Sequence, residues 1–216
     1  MGIYEPYIKA DSAANQGGKF TPRPEQSDAI EKAFKHFKKN ADKEKGAEFL
    51  WNAKMRFGKT FCALWLIEKL KKELSCKKVL IVTHRPVVNA EWFKAYKQLF
   101  KGNLSEYSYG TSKENKDESN LNDFESIKKS ADNDKCVLYF ASLQYLRRSK
   151  EAGGKEDDPV KKDILKYNWD LVRADEAHEG FLTELGQGVL NCLQKDKTLM
   201  LYLSGTAFNL LEKFQS

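Results

Sequence analysis

The chain of 216 residues is long enough to bury a full core without disulfide staples, and at about 100–200 residues per domain it fits one large domain or two small ones. Hydrophobic residues make up 41% and charged residues 31%, which excludes a disordered or fibrous chain, and no apolar run approaches the roughly 18 residues of a membrane span. The 37 basic and 31 acidic side chains leave a formal charge of +6, compatible with a polyanionic partner without demanding one.

Residues 1–24 carry Gly17-Gly18, Pro22 and Pro24 and no sustained period, so they read as an extended lead-in. They lack the basic start, apolar stretch and small-residue cleavage site of a secretory signal, and the expected compartment is the cytoplasm. Ile30, Ala33, Phe34 and Phe37 then mark one face of an amphipathic helix whose other face carries Lys32, Lys35, Lys38 and Lys39. Glu48 to Trp51 reads as a short strand, followed by a loop and a helix with Ala63, Ile67, Leu70 and Leu74 on one face. Val79 to Val82 is a continuous apolar run, the mark of a strand buried on both faces of a parallel sheet. Val88, Trp92, Ala95 and Leu99 give the next helix.

Thr111 to Lys135 is rich in Ser, Asn, Asp, Glu and Lys and reads as a surface insertion with at most one short helix. Cys136 to Phe140 is a third buried strand, and Ser149 to Lys162 reads as a second exposed loop, both insertions being mixed in charge and merely solvating. Two further strands are expected at Trp169 to Ala174 and Thr198 to Leu203. Strands alternating with helices from Glu48 onward predict an α/β domain on a mostly parallel sheet. Cys62, Cys76, Cys136 and Cys192 show no paired spacing, which favours reduced, mostly buried thiols over a zinc site.

The chemistry gathers at strand ends. Ala53-Lys54-Met55-Arg56-Phe57-Gly58-Lys59-Thr60 lies between a strand and a helix and matches the phosphate-binding loop with Ala53 in place of the first glycine. Such a turn aims backbone N–H groups and a helix amino terminus at one anion, with Lys59 for the β- and γ-phosphates and Thr60 for magnesium; the bland alternative is a chance Gly-Lys-Thr at a helix start. Asp175-Glu176-Ala177-His178 follows a strand and sets two carboxylates at the carboxyl edge, where open α/β sheets bind ligands. Asp175 could hold magnesium through its water shell and Glu176 could polarise an attacking water, or Asp175 could simply stabilise a following helix. Ser204-Gly205-Thr206 closes another strand, and by itself it is only a turn.

The order Arg23-Pro24-Glu25-Gln26, A-x-x-x-x-G-K-T, D-E-A-H and S-G-T-A resembles the first motor domain of superfamily 2 helicases and translocases, most closely the helicase part of type III and type I restriction enzyme subunits. The resemblance spans Arg23 to about Phe208. It implies a three-layer, RecA-like α/β domain over residues 25–216 that uses ATP and Mg2+. It further implies that Gln26 and Arg23 recognise adenine with Phe20 stacking. Ala53, Arg56, Gly58, Lys59 and Thr60 would form the nucleotide loop, and Thr60 and Asp175 would hold the metal. Lys59, Asp175, Glu176 and His178 would be catalytic, while His178 together with Ser204 and Thr206 would couple the nucleotide to domain movement. Thr83, His84 and Arg85 match a segment that contacts a nucleic-acid backbone, and Ser142 and Gln144 resemble another.

By the same resemblance the track is double-stranded DNA, with RNA or a non-catalytic nucleotide- or nucleic-acid-binding module as alternatives, and a P-loop kinase as a further class. The expected partners are a carboxyl-terminal RecA-like domain, absent from this chain, with nuclease and modification subunits. Because that second domain would bring arginine fingers worth about 10³ to 10⁵ in rate, the chain alone is expected to be nearly inactive. Gly2-Ile3-Tyr4 and Glu114-Asn115-Lys116 have the outlines of nuclease motifs, but no Tyr-Ile-Gly follows the first and no apolar strand carries the second. Two departures stand out. Arg56 occupies a position where such helicases usually have glycine, implying a backbone less able to adopt φ > 0 and a weakened nucleotide site. Arg173 interrupts an apolar strand and needs either a partly open face or a carboxylate partner.

Overall fold

The computed structural model describes residues 21–41, 46–53, 56–84, 89–112, 121–175, 181 and 183–204. Its six strands are β1 (Glu48–Asn52), β2 (Lys78–Thr83), β3 (Tyr107–Thr111), β4 (Cys136–Ser142), β5 (Leu171–Ala174) and β6 (Leu199–Ser204). They form one sheet in the order β1-β6-β5-β2-β4-β3, with every pairing parallel. Helices connect them: α1 (Pro24–Asn40) leads in, followed by α2 (Lys59–Leu74), α3 (Asn89–Leu99), α4 (Phe124–Asp132), α5 (Leu143–Leu146), α6 (Pro159–Lys166) and α7 (Glu184–Leu193).

A parallel sheet must be covered on both faces, and two apolar cores do this. One joins Val79, Ile81, Leu138, Leu171 and Leu201 to residues of α1, α2 and α3. The other joins Leu80, Val82, Val137, Val172 and Met200 to α4, α5, α6 and α7. Alternate strand residues thus serve opposite layers, and the expected three-layer α/β fold is present. The helix faces predicted for α1 and α2 are the buried ones, with Leu74 only partly covered. Trp51 of β1 donates its indole N–H to the Ala29 carbonyl at 3.2 Å, pinning α1 to the edge strand.

Two expectations need correction. A strand, β3, runs along the edge where none was expected. Ser108 and Gly110 break its apolar run, and its burial comes from tyrosines: Tyr107 stacks on Phe100 at 4.0 Å and Tyr109 donates to Asn89 at 3.1 Å. The presumed insertion from Thr111 therefore begins inside the sheet, and its one described helix, α4, buries Phe124 and Ile127.

The second insertion, Ser149 to Lys162, is packed rather than solvating. Ser149, Ala152 and Lys161 are buried, and Arg148 and Lys161 both pair with Glu156, holding its carboxyl below its ordinary range. Asp158 caps α6 through the Val160 N–H at 2.9 Å, and a side chain at Gly188 of α7 would strike the Ala152 carbonyl. Paired charges read as a solvated surface in sequence, whereas here they close a turn against α7. Two strand starts also shift, to Leu171 and Leu199, because the backbone N–H groups of Trp169 and Thr198 close local turns on the Tyr167 and Lys195 carbonyls at 3.1 and 3.0 Å instead of joining the ladder.

Candidate active site

Along the carboxyl edge of the sheet the strands end in the order Asn52, Ser204, Ala174, Thr83, Ser142. Neighbouring strands lie about 4.8 Å apart, so the loop after β1 and Asp175 after β5 are separated by roughly 10 Å, with Ser204 between them. Thr83 and His84 come next, then Ser142 and Gln144. The phosphate-loop and carboxylate motifs therefore share one edge, followed in order by the segments expected to meet a nucleic-acid backbone.

The loop itself is held at both ends. Ala53 donates its N–H to the Ser204 carbonyl at 3.0 Å, tying the loop's first residue to the strand end that carries the Ser-Gly-Thr motif. Gly58, with φ 83°, begins α2 and brings no side chain to the first N–H groups of that helix. Lys59 and Thr60, half-buried, form its first turn. Arg56 takes φ 67° while its side chain stays exposed, contrary to the expectation that a non-glycine residue would resist this conformation. A left-handed L-residue costs about 1–2 kcal/mol, and the surrounding contacts sustain it.

Those contacts come from the start of α1. Gln26, buried, donates from Nε2 to the Phe57 carbonyl at 2.7 Å and accepts the Arg23 backbone N–H on Oε1 at 2.8 Å; Arg23 Nη2 reaches the same Phe57 carbonyl at 3.2 Å. Gln26 thus braces the loop, and its amide retains one further N–H and one further lone pair. A Cβ on Gly58 would lie 2.8 Å from Gln26 Nε2, so the brace and the glycine are fitted to each other. Cys62, one turn into α2, is no nucleophile: burial pushes its thiol up to about 12, against the smaller downward pull of Arg23.

Asp175 leaves β5 with its N–H bonded to the Val82 carbonyl at 2.8 Å. Its side chain, 15% exposed, meets Arg173 at 3.0 Å from Nη2 to Oδ1, so the intruding arginine has the carboxylate partner it required. Thr83 is buried at the end of β2, and His84 is half-buried with an Nδ1 that has no hydrogen-bond partner among the described residues. Ser142 is buried and caps α5 by accepting the Tyr145 N–H at 3.1 Å, while Gln144 is exposed. Phe20, Arg85, Glu176, His178 and Thr206 lie outside the described residues.

Over residues 19–209 the sequence matches the family described as type III restriction enzyme, res subunit. The chain belongs to that family. No curated protein matches it. Among solved structures it is similar in fold to the Sulfolobus solfataricus SWI2/SNF2 ATPase core in complex with dsDNA, with TM-score 0.60, 17% identity and 87% of this chain covered against 32% of that one. A nuclease-deletion mutant of the type ISP restriction-modification enzyme LlaGI, in complex with a DNA substrate mimic, gives TM-score 0.60, 15% identity and coverage of 87% and 18%. The UvsW helicase from bacteriophage T4 gives 0.53, 12%, 92% and 59%. The chain thus spans from under a fifth to about three-fifths of the lengths of these proteins.

The chain is thus a res-subunit domain of the restriction-enzyme family, on an α/β fold that it shares with these ATPase and helicase structures. Sequence reading named the motif residues but missed the contacts around them. Phe57 contributes only a carbonyl, which leaves no trace in side-chain patterns, and Trp92, read as a core residue of α3, lies against Arg173. The charged residue inside β5 was the one available signal.

Proposed function

We propose that residues 25–216 form the first RecA-like domain of a longer DNA translocase, which binds ATP with Mg2+ and couples hydrolysis to movement on double-stranded DNA within a restriction system. The observation that carries this reading is the convergence, on one edge and two strands apart, of a braced phosphate loop and a carboxylate.

The donor set suits the ligand. The first N–H groups of α2, with Lys59, would hold the phosphates, and Thr60 and Asp175 would hold Mg2+, whose charge neutralises that developing on the phosphate oxygens. Gln26, already tied to the loop, has the capacity left to bind an adenine edge, with Arg23 beside it. Glu176 would orient the attacking water, and His178, Ser204 and Thr206 would pass the state of the nucleotide to a second domain. The Ala53-to-Ser204 hydrogen bond gives Ser204 a direct backbone link to the loop for that task.

Toward the other end of the edge, His84, Arg85 and Gln144 would face the DNA backbone, with Thr83 and Ser142 fixing their loops. The two structural relatives solved with DNA or a DNA mimic support a DNA track. The partners would be a carboxyl-terminal RecA-like domain together with nuclease and modification subunits, in the cytoplasm. No described helix is long and apolar enough to cross a membrane.

Calorimetric titration with Mg-ATP and Mg-ADP, for wild type and Lys59→Ala, tests the reading. Magnesium-dependent binding that the substitution abolishes is expected, along with ATP turnover by this chain far below one per second. Equal binding by Lys59→Ala, or DNA binding indifferent to nucleotide, would turn the chain into a non-catalytic module, and turnover at several per second would remove the need for a second domain.

A further inference from the structure

Arg173 stands at the centre of the sheet. It pairs in register with Ile81 of β2 and Leu201 of β6, and its side chain is fully buried. An arginine costs a great deal at such a place unless its charge is answered. Strand periodicity puts Arg173 and Asp175 on the same face of β5 as Leu171, the face that α1, α2 and α3 cover. Among the described residues the guanidinium meets a carboxylate and an aromatic ring there. Nη2 lies 3.0 Å from Asp175 Oδ1, and the guanidinium carbon sits 4.1 Å above the Trp92 ring of α3. Trp92 is 1% exposed, so this stack is shielded from water and strengthened accordingly. It belongs to the helix that follows β2, the strand ending in Thr83 and His84.

We infer that Arg173 is a positioning residue: it holds Asp175 by one carboxylate oxygen, moderates the hold of that carboxylate on a divalent cation, and relays the change to α3 through Trp92. The inference rests on the reading of Asp175 as the metal-side carboxylate. A carboxylate shared with a buried monocation attracts a second cation less strongly than a lone carboxylate does, because the guanidinium repels the arriving charge in a low-dielectric setting. When Asp175 turns part of its charge toward the metal, the guanidinium shifts over the Trp92 ring, whose emission responds to a cation at its face. The nucleotide end of the edge and the helix behind the expected DNA-contacting segment are then joined by one side chain. An aliphatic residue in β5 would pack equally well and supply no such link.

Three readouts on the chain test this: intrinsic tryptophan emission during Mg-ADP titration, the Mg2+ concentration that supports ADP binding at fixed nucleotide, and ADP binding without Mg2+. Wild type should show a metal-dependent emission change that Trp92→Phe largely removes while nucleotide affinity stays within twofold. Arg173→Met should lower the Mg2+ requirement roughly tenfold, within the usual range of couplings between sites, and leave metal-free ADP binding unchanged. Arg173→Lys should keep the wild-type Mg2+ requirement, since the charge is retained, but lose much of the emission change with the planar stack.

An Arg173→Met protein with the wild-type Mg2+ requirement, or a Trp92→Phe protein with the full emission change, overturns the inference; the latter stands as the test if Arg173→Met does not fold. Asp175→Asn separates this from the underlying reading. If it leaves the Mg2+ requirement unaltered, the metal-side role of Asp175 fails and the inference falls with it. If it raises that requirement while Arg173→Met does nothing, only the role of Arg173 fails.

Discussion

The two edges of the same parallel sheet are built on opposite terms. At the amino edge the strand starts are stitched shut. One carboxylate oxygen of Asp170 accepts the N–H groups of both Lys77 and Lys78 at 2.8 Å, and the Asp170 N–H reaches the Lys78 carbonyl at 2.8 Å. Leu199 then donates to the Asp170 carbonyl at 2.9 Å, Met200 to the Ala47 carbonyl at 2.8 Å and Val137 to the Lys77 carbonyl at 2.7 Å. At the carboxyl edge two residues in three, Arg56 and Gly58, sit at positive φ, a glutamine braces a carbonyl from another element, and a buried arginine is paired across the end of a strand. The first edge spends its polar groups on satisfying backbone and contributes stability. Left-handed residues occur at both edges, with Ser75, Asp134 and Lys197 just ahead of β2, β4 and β6; what sets the second edge apart is that its positive-φ loop, its brace and its buried charge lie beside the ligand motifs, where open α/β sheets do their chemistry.

The contrast breaks most readily at the closed edge. Asp170→Ala removes the acceptor of two backbone N–H groups in different register positions, at a cost of about 2–3 kcal/mol, the scale of hydrogen bonds to a charged group. Thermal unfolding should register this as a clear fall in Tm, while Mg-ADP affinity of the folded protein stays within about twofold. A large loss of affinity at unchanged Tm would mean that the two edges are not separable.

Gly58→Ala is the reciprocal test at the open edge. The new methyl would meet Gln26 Nε2 at 2.8 Å and hold an L-residue at φ 83°, so stability should fall by about 1–2 kcal/mol. The larger consequence is functional. Relief of the clash pushes Gln26 off the Phe57 carbonyl and frees the loop, and nucleotide affinity should drop more than tenfold by calorimetry. Gln26→Ala should reproduce much of that loss without the backbone penalty. A Gly58→Ala protein with full affinity would show that the brace is incidental.

These edges were unequally visible in the sequence. The layers were legible because burial writes itself as apolar runs, as in Val79 to Val82, and as helical periodicity, as in α1. The phosphate-loop, Asp175 and Ser-Gly-Thr motifs stood out because the chemistry expected of them needs particular residue types at fixed spacing. β3 was not, since an edge strand carried by Tyr107 and Tyr109 with Ser108 and Gly110 between them has neither signature. Nor was the closed turn at Arg148 to Lys161, whose charges pair with one another instead of with water. The Gln26 brace acts on a backbone carbonyl, and no residue identity records which carbonyl a distant side chain will find. Arg173 gave the opposite lesson: it was conspicuous as a misfit, and only the packing of Trp92 and the position of Asp175 explain it.

The smallest effect is expected where sequence reading anticipated the greatest damage. Arg56→Gly would relieve about 1 kcal/mol of left-handed backbone cost in the folded chain, but glycine also loses about 0.5–1 kcal/mol more conformational entropy on folding. The two terms nearly cancel, so Tm should move by no more than a degree or two. Affinity should change little as well, because the loop already adopts φ 67° at this position and the Gln26 contact to Phe57 holds it there. Parallel titrations of Arg56→Gly and wild type with Mg-ADP check this. A tenfold gain for the glycine variant would mean that the native loop samples other conformations and that the strain is carried by the ligand, whereas equal affinities place its cost on the brace from α1.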